Sequence, residues 1–429
     1  MQYSQYGTKF AQPSGILELM EDLDSALNRG DGNALMLGGG NPGRIPAVER
    51  ELRSAMDVIL NDGDRFERMI GFYDGPQGNG PFIELLADLL SRTYGWPLSP
   101  AHIALTNGSQ NSFFHLFNLF AGRQANKTNL HRVLLPLVPE YIGYSDTGID
   151  SDVFLSLLPR IQELPDRTIK YQIDFEAVEE ALQDYDIGAI CVSRPTNPSG
   201  NVIEDYELNR LSLLSQHSGI PLIVDGAYGH PFPGLIYTGA TPHWDDHIVY
   251  TLSLSKFGMP GVRTGIIIAN PEIITMLTRM NAVNNLASGS VGPVLATELI
   301  RRGSLITLST EVIRKFYREK ADRARNLLLS CTEDLPDVRM HKIEGAFFLW
   351  VYCHEFPATT GELYTRLKKR GVYVVPGKYY FPGLADDWPH KEECLRVSFA
   401  GEDRVVEQGL KIIAEELRSA YATGRIEIG

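Results

Sequence analysis

From about residue 100 to 270 the chain alternates between two kinds of segment. Short runs rich in Val, Ile and Leu, bounded by Gly, Pro or Asn, are separated by stretches with helical spacing. The runs are HRVLLPLVP (131–139), IGAICVSRP (187–195), IPLIVDGAYG (220–229), HIVYTLSLSK (247–256) and TGIIIAN (264–270). Apolar runs of this length read as strands buried on both faces. Between the second and third lies EDYELNRLSLLSQHSG (204–219), whose leucines recur at helical spacing. Its Gly219 suits a C-terminal cap. Buried strands alternating with helices predict an α/β fold with a mostly parallel sheet and helices on both faces. In such sheets ligands sit beyond the carboxyl ends of the strands.

The ends of the chain read differently. Helical pattern fills 304–329 and 402–421, and short strands are expected at 346–352, 371–375 and 394–399. That predicts a smaller α+β domain. Helical spacing in SGILELMEDLDSALNRG (14–30) places the N-terminal segment with it. The expected division is 1–45 as an N-terminal segment joining the small domain, 46–300 as the large domain and 301–429 as the small one. At 429 residues the chain is too long for one ordinary domain.

Net charge is −13, which argues against nucleic acid and anionic membranes as partners. No apolar run approaches the roughly 20 residues that span a bilayer. The first residues lack a signal-peptide pattern. The four cysteines lie far apart without a CxxC, which fits a reducing compartment. The expectation is a cytoplasmic protein.

The strand ends carry the chemistry. One strand finishes in SRPTNPSG with Asn197, another in VDGAYG with Asp225 and Tyr228, and a third in SLSK with Ser253, Ser255 and Lys256. Seven residues on stands Arg263. Upstream, ALTNGSQNSFFHLF (104–117) joins an apolar run to a helix through a Gly/Ser turn. Its Gly108, Ser109 and Gln110 would present backbone N–H groups at a helix N-terminus, a ready anion site. Each piece alone has a plainer reading: a solvated lysine, a capped turn, a common loop, an aspartate cap. All of them converge on one crevice. An amine, a carboxylate, a phenol, an amide, hydroxyls, a phosphate-ready turn and a cation together match pyridoxal phosphate.

The set resembles the class I and II aminotransferases of fold type I, over essentially the whole chain. The resemblance implies a large domain with a mostly parallel seven-stranded sheet, pyridoxal 5′-phosphate as cofactor, and transfer of an amino group between amino acids and 2-oxo acids. It implies Lys256 for the Schiff base, Asp225 for the pyridine nitrogen, and Tyr228 with Asn197 for the ring oxygen. Gly108, Ser109, Gln110, Ser253, Ser255 and Arg263 fall to the phosphate. PLVPEYIGY places Tyr141 on the pyridine face. GFYDGPQG places Tyr73 where the family reaches the phosphate of a partner subunit, so a homodimer with a shared site is implied. The alternative for Tyr73 is an aromatic packed in its own core.

A substrate carboxylate calls for a guanidinium, which binds it bidentately. CLRVSFA offers Arg396 on an apolar strand, and the family has an arginine there. MLGGGNP resembles the family's N-terminal glycine turn, where Gly40 lets backbone approach the same carboxylate, with Asn197 beside it. Arg44 just beyond is a possible second cation for dicarboxylic substrates. GGGNPG lacks the spacing of a nucleotide loop, and HWDDH (243–247) lacks further ligands, so no metal is expected. Gly226 stands where a larger side chain is expected, which leaves the contact beside Asp225 open. Rival activities on this fold are an aromatic or broad-specificity aminotransferase and a β-eliminating lyase. A non-catalytic cofactor-sensing regulator would need a DNA-binding segment, for which the sequence before the glycine turn is short.

Overall fold

The computed structural model describes residues 2–11, 17, 21, 34–125 and 129–423. The helical spacing expected in 14–30 lies almost wholly outside these residues. Five predicted strands of the large sheet are present as Leu130–Leu135, Ile187–Ser193, Leu222–Asp225, Ile248–Ser253 and Gly265–Ile268. Apolar side chains of alternate residues enter two separate cores. Val133, Leu135, Ala189, Cys191, Ile223, Val249 and Ile267 pack with Phe113 and Phe117 of the helix Ser109–Phe120. Leu134, Ile190, Val192, Leu222, Val224, Ile248 and Ile266 face the opposite core. Both faces are covered, which is why these strands read as unbroken apolar runs.

The strands starting at 130, 187, 222 and 248 run parallel, in that spatial order. Gly265–Ile268 runs antiparallel between Ile248–Ser253 and Ile103–Thr106. The sheet holds eight strands, not seven. Gly122–Arg123 adds a two-residue antiparallel edge, and Phe154–Ser156 pairs with Leu130–Leu135. Register brings one row of residues to the carboxyl edge. Ser193 lies opposite Asp225, and Asp225 opposite Thr251. Ser253 lies opposite Gly265, and Gly265 opposite Thr106.

A second sheet has six strands. Val375–Pro376, Cys394–Ser398, Phe348–Cys353 and Val338–His341 come from the C-terminal part. The hairpin Arg160–Leu164 and Thr168–Gln172 completes it, joining Val338–His341 in parallel. Sequence patterning does not show this hairpin, because its outer strand is exposed at four of five positions. Its turn is marked by left-handed Asp166 and Arg167, at φ 58° and 55°. Leu35–Met36 runs parallel to Val372–Tyr373, and Ser398 N–H donates to Leu37 O at 2.7 Å. The N-terminal glycine turn therefore lies against the strand that carries Arg396. The expected helix at 304–329 runs without interruption from Ser304 to Cys331: Ser304–Thr307 passes through a wider i→i+5 stretch at Leu308–Ile313 into Arg314–Cys331.

Candidate active site

Beyond the carboxyl edge of the large sheet lies a cavity of about 310 Å³. Its wall includes Lys256, Arg263 and Arg396 against the carboxylate of Asp225. A chain of net charge −13 thus gathers an excess of cations at one point. Such a cavity selects anionic ligands.

Lys256 follows the buried strand Ile248–Ser253, and its Nζ donates to Gly40 O at 2.6 Å. The amine lies 5.4 Å from the ring centre of Tyr228 and 5.8 Å from that of Phe347. Burial, with Arg396 and Arg263 nearby, lowers its pKa to about 8, against the opposing pull of Asp225. An amine so placed loses its proton at a pH much nearer neutral than an ordinary lysine does and can act as nucleophile and base.

Asp225 ends its strand and is buried. Tyr144 Oη donates to its Oδ2 at 2.7 Å, and Ala227 N–H donates to Oδ1 at 2.9 Å. Burial holds the carboxyl above the usual carboxylate range, and these two donors and Lys256 limit the rise. Gly226 leaves no open question. A Cβ there would lie 2.7 Å from Thr251 O and from the Tyr250 ring, so only glycine fits. Tyr228 is buried edge-on against Phe347 and Phe348, and burial raises its pKa so that it stays a neutral phenol.

The anion turn forms as the sequence predicts. Gly108, at φ 88°, immediately precedes the helix Ser109–Phe120. A Cβ on Gly108 would come within 2.3 Å of Arg263 Nη2, so glycine lets the guanidinium reach the helix start. Arg263 itself is left-handed at φ 49°, a strained conformation costing roughly 1–2 kcal/mol. Gly265 allows the same close approach, since its Cβ would lie 2.8 Å from Ser109 N. Ser109, Gln110 and Ser255 line the cavity. Gln110 Nε2 is held by Gly143 O at 2.6 Å, leaving its buried Oε1 without a partner among the described residues. Tyr141 also lines the cavity and packs edge-on to Tyr144.

Arg396 is buried and makes no ion pair among the described residues. Its Nη1 donates to Asn197 Oδ1 at 2.7 Å and its Nη2 to Gly38 O at 2.6 Å, while Nε is buried without a partner among the described residues. The guanidinium lies 4.3 Å from the centre of the Phe348 ring. A buried cation satisfied only by neutral acceptors still seeks an anion. Gly40 and Asn197 line the same cavity.

Four of the expected residues stand away from the cavity wall. Ser253 does not line the cavity; it is buried, and its Oγ accepts the Ser255 N–H at 3.1 Å. It shapes the turn that presents Ser255. Gly108 likewise stands behind the wall and makes room for Arg263. Tyr73 is 85% exposed and outside the cavity, which overturns packing in its own core. Arg44 is exposed and paired with Glu49 at 2.7 Å, so its charge is already answered.

Sequence reading missed Tyr144, Glu140 and Ser193. Glu140 is fully buried, and it accepts from Ser193 N–H at 2.8 Å. The one signal available was an acidic residue inside the apolar PLVPEYIGY.

Pyridoxal phosphate fits these residues. The buried Asp225 offers a carboxylate to a protonated ring nitrogen. Ser109, Ser255, Arg263 and the helix start would hold the phosphate, and the depressed Lys256 amine meets the aldehyde.

The family model for aminotransferase class I and II matches residues 147–413. Over 424 residues the chain is 47% identical to the valine–pyruvate aminotransferase of Escherichia coli (strain K12), covering 98% of this chain and 99% of that protein. A crystal structure of a putative amino-acid aminotransferase from Psychrobacter arcticum 273-4 is 43% identical with a TM-score of 0.95, over 98% and 99% of the two chains. The valine–pyruvate aminotransferase of Salmonella typhimurium LT2 is 44% identical with a TM-score of 0.85, over 95% and 100%.

Proposed function

Because the chain belongs to the class I and II aminotransferase family, we propose that it moves the amino group of L-valine to pyruvate, giving 3-methyl-2-oxobutanoate and L-alanine. The observation that carries the reading is the one cavity that gathers the Lys256 amine, the Asp225 carboxyl and Arg396, which makes no ion pair among the described residues. Near-full-length identity to the Escherichia coli enzyme supports the choice of substrates. Stretches such as TNGSQNSFFHLFNLFAG and PEYIGY carry that finer likeness.

Bound pyridoxal phosphate supplies an aldehyde that accepts amines and a ring that withdraws electrons from the bonded carbon. The residues do the rest. Arg396 binds the α-carboxylate of valine and fixes the direction of Cα–H. Asp225 holds the ring-nitrogen proton in place. Lys256 Nζ takes the proton from valine Cα, and in the second half-reaction it returns one to the corresponding carbon of pyruvate. Tyr228 and the Asn197 amide serve the ring oxygen.

The same reading makes the protein a cytoplasmic homodimer. Ile70, Phe72, Tyr73, Val283 and Leu286 are all exposed apolar or aromatic side chains, an arrangement that suits a second copy of the chain. Tyr73 then reaches the phosphate site of the partner rather than its own. Three of the four free cysteines are buried, in keeping with a reducing compartment. We divide the chain near residues 45 and 300, with the hairpin at 160–172 an excursion into the smaller unit.

Product analysis tests the activity. With L-valine and pyruvate, alanine and 3-methyl-2-oxobutanoate should accumulate in equal amounts. Pyruvate and ammonia from cysteine-like substrates would mean elimination instead. Faster transfer from aromatic amino acids than from valine would replace the substrate.

A further inference from the structure

Two carboxyl groups lie buried at this site, and the reaction as derived uses only one. Glu140 is fully buried behind the cavity wall. Its Oε1 accepts from Ser193 N–H at 2.8 Å, and its Oε2 lies 2.5 Å from Ser193 Oγ. Ser193 Oγ lies 3.3 Å from Tyr144 Oη, which is 2.7 Å from Asp225 Oδ2. Four oxygens therefore form a line: Glu140 Oε2, Ser193 Oγ, Tyr144 Oη, Asp225 Oδ2.

Counting protons along this line bears on its state, with the 3.3 Å contact between Ser193 and Tyr144 its longest link. The serine and tyrosine hydroxyls bring two protons to three contacts. If Glu140 were ionised, Ser193 would donate to it and Tyr144 to Asp225. The contact between Ser193 and Tyr144 would then be two oxygens with no proton between them. If Glu140 carries a proton, it donates to Ser193, Ser193 donates to Tyr144, and Tyr144 donates to Asp225. Every contact is then satisfied and every donor points toward Asp225.

We infer that Glu140 is held as the neutral carboxylic acid and is a positioning residue, orienting a relay of hydroxyl donors that keeps Asp225 ionised. The inference rests on the proposed role of Asp225 at the cofactor ring, and concerns which of two buried carboxyls carries the proton. Two buried carboxyls this close do not both ionise readily, and their surroundings divide the roles. Asp225 has Tyr144, Ala227 N–H and Lys256 to favour its anion. The titratable groups facing Glu140 are Asp225, Tyr144, Tyr141 and Cys191, none of them cationic. Burial is the main cause that raises its pKa to about 8; the Ser193 hydroxyl and the Ser193 and Tyr141 N–H groups draw it down, and Asp225 adds to the rise.

The test is an infrared pH-difference spectrum of the purified enzyme, wild type against Glu140→Gln. Wild type should show a buried carboxyl C=O band at neutral pH that fades with a midpoint near 8, and Glu140→Gln should lack it. The amide can donate to Ser193 Oγ and accept from its N–H, losing only the long Tyr141 N–H contact at 3.3 Å. Glu140→Gln should therefore keep kcat within about threefold, whereas Glu140→Ala should lose about tenfold or more. A band identical in wild type and Glu140→Gln would overturn the inference, as would Glu140→Gln being as impaired as Glu140→Ala. If Glu140→Gln does not fold, Asp225→Asn takes its place: a band that survives this substitution belongs to Glu140, and a band lost with it refutes the inference. A surviving band that fades near pH 8 sustains the inference, and no such band in the neutral range refutes it. These readouts are separate from substrate choice: failure of valine to react would leave the infrared result standing.

Discussion

The two halves of the active site are built in different ways. The half suited to the cofactor comes from consecutive strand ends of one sheet, with Asn197, Asp225 and Lys256 each following a buried apolar strand within about sixty residues of sequence. The half suited to the substrate carboxylate joins segments at opposite ends of the chain. Arg396 lies on the second sheet, and its hydrogen bond to Gly38 O spans 358 positions. Parallel register fixes the first half as soon as the large sheet forms. The second half exists only when the N-terminal turn, the loop carrying Asn197 and the strand Cys394–Ser398 are all in place. Damage to the first half should cost the cofactor, and damage to the second should cost substrate affinity while the cofactor stays.

The sharpest break is Lys256→Ala. Turnover should fall about 10⁴-fold, because one group serves as both nucleophile and base. Normal catalysis by the purified variant would remove Lys256 from its role. Next comes Asp225→Ala, expected to lose about 10²- to 10³-fold in kcat and to retain less cofactor after dialysis. Retention and activity equal to wild type would show that Asp225 does not serve the ring nitrogen. Arg396→Lys probes the other half. It should lose about 2–3 kcal/mol in kcat/KM, chiefly through KM, because an ammonium cannot replace a planar fork. The visible spectrum should remain that of the loaded enzyme; loss of cofactor would erase the distinction between the halves. The smallest effect is expected of Gly226→Ala. Its methyl meets Thr251 O and Tyr250, and the melting temperature should drop by an amount worth about 1–3 kcal/mol. An unchanged melting temperature would mean that the strand end beside Asp225 adjusts freely.

The same contrast explains what was legible in the sequence. Lys256, Asp225, Asn197 and the turn at 107–110 could be read because strands buried on both faces are continuous apolar runs, and the residues that follow them must lie at one edge. Arg396 needed an apolar strand around it and a family resemblance beyond that. Glu140, Tyr144 and Ser193 were missed because they act from behind the wall. Tyr144 sits in the short helical turn Ile142–Tyr144, and nothing in PEYIGY shows that its hydroxyl turns toward a strand end eighty residues away. That Ser253 lies behind the wall was not legible, because proximity along the chain does not show which way a side chain turns; its hydroxyl accepts a local N–H. The hairpin at 160–172 was hidden by the exposure of its edge strand, and the eighth strand of the large sheet by its length of two residues.

The absorbance spectrum of the purified, cofactor-loaded protein, recorded before and after L-valine and then after pyruvate, tests the central claim most directly. Valine should remove the visible band of the lysine-bound cofactor and pyruvate should restore it, in wild type but not in Lys256→Ala. A band that ignores valine yet responds to another amino acid would contradict the proposed substrate. The absence of any such band after incubation with pyridoxal phosphate would contradict the site itself.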